Sequence, residues 1–236
     1  LEEAKTNIEK ALAQNPTLFP AKFNLAATES RLGNVETSNQ LIEELLTFSP
    51  QHNETLMLKA FNLTKAGKVD EAKQIYLDLL TLTPSNSGAR ERVSSLYQQQ
   101  GDIKNALYHL DLLIKDDFDN ADYLLRKAAL QLGNNQRADA EKTLSIVRNF
   151  INDDAGKLIA YADQARNIGD SEGALNAMAR AHDIANTSTF VTLRYTSLLL
   201  DLQKNDKAQS LLATVPANQQ QNPVYHFLKG RLAANK

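Results

Sequence analysis

The sequence predicts an all-α protein, a solenoid of stacked antiparallel helix pairs, on three observations that share one spacing. Gly33, Gly67 and Gly101 recur every 34 residues, and Pro16, Pro50 and Pro84 recur at the same interval. Small side chains fall into two columns in that phase. One is Ala26, Ala60, Ser94, Ala128, Ala162, Thr196 and Gly230; the other is Ala4, Ser38, Ala72, Ala106, Ala140, Ala174 and Ala208. Between these markers the apolar residues keep helical spacing. A fixed period of a few tens of residues marks a repeat architecture, in which each unit buries its apolar face only against its neighbours.

Within a unit, each element follows from its residues. The stretch from Glu54 to Lys65 carries Leu56, Ala60 and Leu63 on one helical face and stops at Ala66-Gly67, where glycine accepts the left-handed conformation that ends a helix. Asn135 and Gly169 stand at the equivalent place, and asparagine also tolerates positive φ. The stretch from Glu71 to Leu82 repeats the pattern with Ala72, Ile75, Tyr76, Leu79 and Leu80, and the unit before it with Leu41, Ile42, Leu45 and Leu46. Proline then closes the second helix, because it lacks an amide hydrogen and forces its predecessor out of the helical region. Asn34, Asp102 and Asp170 follow a glycine as candidate side-chain caps, and Asn222-Pro223 reads as a cap with a first-turn proline. The small columns are expected to face one another, Ala60 with Ala72 and Ala128 with Ala140, so that paired helices approach to about 8 to 10 Å.

These residues resemble the tetratricopeptide repeat: a 34-residue helix-turn-helix unit with small residues at unit positions 8 and 20, glycine at 15 and proline at 32. The resemblance implies one right-handed α-solenoid over residues 1–236, with repeats at 19–52, 53–86, 87–120, 121–154, 155–188 and 189–222. Residues 1–18 would be the second helix of a truncated repeat and 223–236 the first helix of another, so the natural chain, a fragment of a bacterial exported protein on this reading, is expected to continue past Lys236 with a turn-forming glycine or asparagine. The chain departs from the family pattern at position 4, where Lys22, Leu56, Arg90, Leu124, Leu158, Thr192 and His226 replace a bulky aromatic. Proline is also lost at position 32 after Pro84.

In function, the resemblance implies a non-catalytic protein-protein interaction scaffold that takes a peptide or protein segment in a concave groove. The alternative is a regulatory or substrate-presenting domain of a larger enzyme or of a bacterial envelope or exopolysaccharide export machine. By resemblance, unit positions 2, 5, 6, 9 and 12 face the groove. Position 5 then gives an apolar row of Phe23, Met57, Leu125, Ile159, Leu193 and Phe227, broken by Glu91, and position 6 gives Asn24, Leu58, Arg92, Arg126 and Arg194. Phe23, Asn24, Met57, Arg92, Leu125, Arg126, Ile159 and Arg194 are the candidate partner-binding residues. The competing role for the apolar row is packing against the neighbouring second helix. Arg92 and Arg126 are expected about 10 Å apart on the groove wall, able to hold acidic side chains unless Arg92 pairs with Glu91 or Asp122. Pro20, Leu58 and Gly88 break the lysine-asparagine set with which some members of the family hold chaperone tails.

Composition removes other classes. A net charge of -2 with no lysine-arginine block argues against a phosphate-binding surface, and the 34-residue period separates the chain from the 35-residue RNA-binding repeats. Without cysteine there are no disulfides, thiolate zinc sites or cysteine nucleophiles, and the compartment stays open between cytoplasm and bacterial periplasm or envelope. Leu198-Leu199-Leu200 is bounded by Ser197 and Asp201, far short of the roughly 20 apolar residues of a membrane helix. The histidines His52, His109, His182 and His226 show no ligand spacing and read as surface or groove-wall side chains. The acidic run Asp116-Asp117-Phe118-Asp119-Asn120 fails as a calcium loop, with Asp122 where glycine is needed and Ala128 where glutamate is needed, and reads as helix capping. No catalytic constellation and no cofactor site is expected.

Overall fold

A computed structural model describes residues 1–235, and among them the regular structure is helical with no strand. By its contacts the chain divides into two compact units, Leu1–Leu113 and the residues from Ile114 onward. The first contains α1 (Glu2–Gln14), α2 (Phe19–Leu32), α3 (Val35–Phe48), α4 (Asn53–Lys65), α5 (Val69–Leu82), α6 (Ser87–Gln99) and most of α7 (Ile103–Asp116). The second contains α8 (Ala121–Gly133), α9 (Arg137–Phe150), α10 (Ala155–Asn167), α11 (Ser171–Ile184), α12 (Thr189–Asp201), α13 (Asn205–Leu212) and α14 (Pro223–Ala234). From α2 to α14 the even-numbered helices begin at intervals of 34 residues, and from α3 to α13 the odd-numbered ones do the same. Each unit is a stack of antiparallel helix pairs, so the fold class is that of a tetratricopeptide-type α-solenoid.

The turn inside each pair rests on one residue with positive φ. Gly33, Gly67, Gly101 and Gly169 hold it at +91°, +76°, +75° and +81°, and Asn135 at +58°. Gln203 adopts +57° at the same unit position, although glutamine has no preference for that region; the sequence left it unmarked, and the surrounding helix pair imposes it. At Gly67 a Cβ would meet nothing within 4 Å, so a substitution there acts through conformation alone. Gly67→Val is expected to be less stable than Gly67→Asn by about 1 kcal/mol in urea denaturation, because a β-branched residue resists positive φ. Equal midpoints would place the strain elsewhere.

Asp102, Asp170 and Asn222 act as caps, accepting from the amides of Asn105 (3.1 Å), Gly173 (2.9 Å) and Val224 (2.8 Å). Asn34 does not. Its amide group donates to Glu29 Oε2 at 2.7 Å, because Glu29 is buried and Lys5 Nζ at 2.9 Å satisfies only its other oxygen. The hydrogen bond from Lys5, then that from Asn34, holds the Glu29 carboxyl below its ordinary pKa and ties α1 to α2.

The small columns mark the helix crossings. Ala26, Ala60, Ala72, Ala106, Ala128 and Ala140 are fully buried. Where serine replaces alanine, its hydroxyl bonds to the backbone of the facing small residue: Ser38 Oγ donates to Ala26 O at 2.8 Å, and Ser94 Oγ to Ala106 O at 2.9 Å. Large side chains fill the space between pairs, among them Tyr76 and Leu79 in the first unit and Leu144, Val147 and Leu158 in the second.

Polar groups also enter the core of the first unit, which apolar periodicity did not signal. Asn62 is 1% exposed and sits between two pairs. Its Nδ2 donates to Ser38 Oγ (3.0 Å) and Asn39 Oδ1 (2.9 Å), and its Oδ1 accepts from Ser30 Oγ (2.5 Å).

His109 corrects the expectation that the histidines line the surface or groove: it is 8% exposed. Its ring stacks on Tyr97 at 5.7 Å and meets Tyr108 edge-on at 5.2 Å. Burial, followed by the nearby Arg90 charge, lowers its pKa from 6.5. The unfolded chain therefore takes up a proton near pH 6.5 that the folded chain refuses. The His109 contribution to stability is complete above that pH and is lost as pH falls from there through the lower folded value. Urea midpoints measured from about pH 7.5 to 5.5 are expected to fall for the wild type and to fall less for His109→Gln; parallel curves would show that another group controls the slope.

Candidate functional site

In the first unit, α2, α4 and α6 present their side chains to one open cleft of about 880 Å³. Phe23 and Asn24 come from α2, Met57, Leu58 and Phe61 from α4, and Arg92 from α6. The spacing of unit positions 5, 6 and 9 brings them together: residues three and four apart share a helix face, and the 34-residue phase sets that face alike in each helix. One wall is stiffened by His52, which caps α4 by accepting from the Thr55 amide (3.3 Å) and packs edge-on against Phe19 and Phe23, with ring centroids 4.8 and 6.0 Å away. Lys65 lies over the Phe61 ring at 5.6 Å.

The second unit has a cleft of about 360 Å³ between α10, α12 and α14, lined by Asp163, Arg166, Phe190, Leu193, Arg194 and Val224, among others. Its charges are organised. Arg194 pairs with Asp163 and lies over the Phe190 ring at 5.5 Å, while its Nε is buried without a hydrogen-bond partner. Asp201 accepts from Arg166 at 2.8 Å and from Arg231 at 2.9 Å, so two guanidinium groups share one carboxylate. The edge of this cleft is apolar, with Phe190 and Val224 exposed.

The candidate residues divide between these places. Phe23, Asn24, Met57 and Arg92 meet on the first cleft, and Arg194 lies on the second. Leu125 is buried at 6% in the core of the second unit, and Ile159 packs against that core, so both serve the packing role that competed with partner contact. Arg126 is half-buried on α8 in the second unit, and Arg92 belongs to the first. Asp122, considered above as a partner for Arg92, lies 2.8 Å from Lys157 Nζ. Reading rows 5 and 6 alone missed Phe190, Asp163 and Arg166, which stand at unit positions 2, 9 and 12; the signal was the same face, followed one turn further in each direction. Among the described residues no group of three His, Cys, Asp or Glu could hold a metal ion, and no helix is long and apolar enough to cross a membrane.

A family model for the tetratricopeptide repeat matches residues 169–232. No curated protein matches the chain. Among solved structures, a tetratricopeptide repeat protein from Parabacteroides merdae is similar over 92% of this chain and 86% of its own, with 14% identity and a TM-score of 0.66. PilW, a widely conserved type IV pilus biogenesis factor, is similar over 84% of this chain and 90% of its own, with 16% identity and a TM-score of 0.67. YrrB, a repeat protein of the same type with an unusual peptide-binding site, is similar over 78% of this chain and 94% of its own, with 14% identity and a TM-score of 0.56. At these identities the likeness is one of fold.

Proposed function

We propose that this chain, whose fold is that of the tetratricopeptide repeat and whose residues 169–232 match that family's model, is a scaffold for protein-protein interaction that binds a peptide or protein segment in the clefts of its first helices and carries out no catalysis itself. The observation behind this reading is the meeting of Phe23, Asn24, Met57 and Arg92, from three successive first helices, on one cleft of about 880 Å³. That surface offers apolar area for side chains, an amide that can bond to a peptide backbone, and a guanidinium suited to a carboxylate. In the second unit Phe190 offers an aromatic face and Arg194, paired with Asp163, lies over it.

The test is selection of peptides from a displayed random library on the wild-type protein, followed by affinity measurement with variants. Met57→Asp/Arg92→Ala is expected to weaken the selected peptides by at least about tenfold, or 1.4 kcal/mol. Lys68→Ala/Lys104→Ala, which removes two charges outside the cleft, is expected to change affinity by less than about twofold. Equal losses would mean general electrostatics and would overturn the cleft assignment.

A further inference from the structure

The second unit carries an exposed apolar patch that neither its core nor its cleft uses. Phe150, at the end of α9, meets Phe118, in the turn after α7, edge to face with ring centroids 5.8 Å apart. The two rings remain 37% and 66% exposed. Ile146, one turn before Phe150 on the same face of α9, is 43% exposed, and Ile184, at the corresponding end of α11, is 47% exposed. A cluster of large apolar groups left in water marks an interaction surface more often than scattered single residues do.

Carboxylates adjoin these residues along the chain, outnumbering the exposed Lys115 beside them. Asp116, Asp117 and Asp119 flank Phe118, Asp153 and Asp154 follow Phe150, and Asp183 precedes Ile184; all are exposed. Helix capping, the role expected for the first run, accounts for only some of them. Asn120 caps α8, accepting from the amides of Asp122 (3.0 Å) and Tyr123 (3.3 Å), and Asp154 caps α10 through the Lys157 amide (2.9 Å). Asp153 pairs with Arg180 at 2.6 Å. Asp116 and Asp119 take no part in the caps. Other second helices supply a control: Phe48 and Leu82 end theirs as Phe150 and Ile184 do and are 73% and 52% exposed, yet Ser49–His52 and Thr83–Asn86 contain no carboxylate, and neither does Ala185–Ser188 after Ile184. The apolar helix end belongs to the repeat, whereas the acidic surround is concentrated in the turns after α7 and α9.

We propose that this edge of the second unit docks a basic amphipathic segment of a partner protein, with its apolar side chains on Phe118, Ile146, Phe150 and Ile184 and its lysines or arginines against the aspartates. Complementary charge speeds encounter and fixes orientation, while the apolar contact provides retention. The same aspartates repel an anionic lipid surface or a nucleic acid, which leaves a cationic protein segment as the occupant.

The probe is a fluorescent helical peptide of roughly 14 residues, about four turns, with leucine on one face and lysine on the other, compared by anisotropy with a counterpart carrying glutamate for lysine. The lysine peptide is expected to bind at least about tenfold more tightly than the glutamate peptide. Phe118→Ser/Phe150→Ser and Asp116→Asn/Asp119→Asn are each expected to weaken it about tenfold, while Phe190→Ser/Arg194→Ala in the cleft leaves it unchanged. Hydrogen exchange on the wild-type protein, which needs no variant to fold, is expected to show protection around residues 115–120 and 146–154 when the lysine peptide is added. The proposal is overturned if the lysine peptide does not bind, if the edge variants bind it as tightly as the wild type does, if a distant Glu172→Gln/Asp206→Asn control loses as much, or if protection falls elsewhere.

Discussion

Asn62→Leu is expected to destabilise the first unit by about 2–4 kcal/mol, the largest effect of any single polar substitution considered. The side chain is 1% exposed and makes hydrogen bonds to Ser30, Ser38 and Asn39, which come from both helices of the preceding pair. Leucine is similar in size but makes none of them, so the Ser30 and Ser38 hydroxyls, both fully buried, lose a partner they cannot replace with water. Ser38 keeps its bond to Ala26 O, which limits its share of the loss. Urea denaturation followed by circular dichroism measures the difference. A change below about 0.5 kcal/mol would mean that the buried bonds add nothing over apolar contact at this junction.

Ala106→Leu comes next, at about 1–3 kcal/mol. The methyl group of Ala106 is fully buried at the crossing of α6 and α7, and its carbonyl accepts from Ser94 Oγ at 2.9 Å. Added methylenes must push the helices apart, which strains that bond as well as the packing. Ala4 occupies the same column but is exposed on α1, so Ala4→Leu is expected to change stability by less than about 0.5 kcal/mol. If both substitutions cost the same, the column reflects helix propensity and not close approach.

Much of the fold was legible because its determinants repeat. A glycine that ends one helix is weak evidence, but Gly33, Gly67 and Gly101 at one interval, in phase with two small columns, leave little freedom for another architecture. What escaped were features that occur once. Gln203 takes a left-handed conformation because its neighbours demand it, and nothing in glutamine announces this. Asn34 looked like a cap until Glu29, buried beside Lys5, claimed its amide. His109 lies between two tyrosines, one of them from the preceding helix and thus twelve residues away, so its burial is a tertiary fact. The candidate site was half legible for a similar reason. Phase identifies which face a residue occupies, and so places Met57 and Arg92 on the cleft, but the depth of that face varies along the stack, and Leu125 sinks into the core where Phe23 does not.

The constant interval between helix starts also constrains how such a chain can change its length. One residue added within a helix turns everything after it by about 100°, which would carry Ala140 or Ala174 off the crossing and put a bulkier neighbour there. Gain or loss of 34 residues returns every later side chain to the face it already had. Length in this molecule is therefore quantised: a whole helix pair can be gained or lost in register, whereas small insertions are confined to the turns, where the backbone between Leu212 and Pro223 already departs from the repeat with the short 3-10 helix Ala217–Gln219.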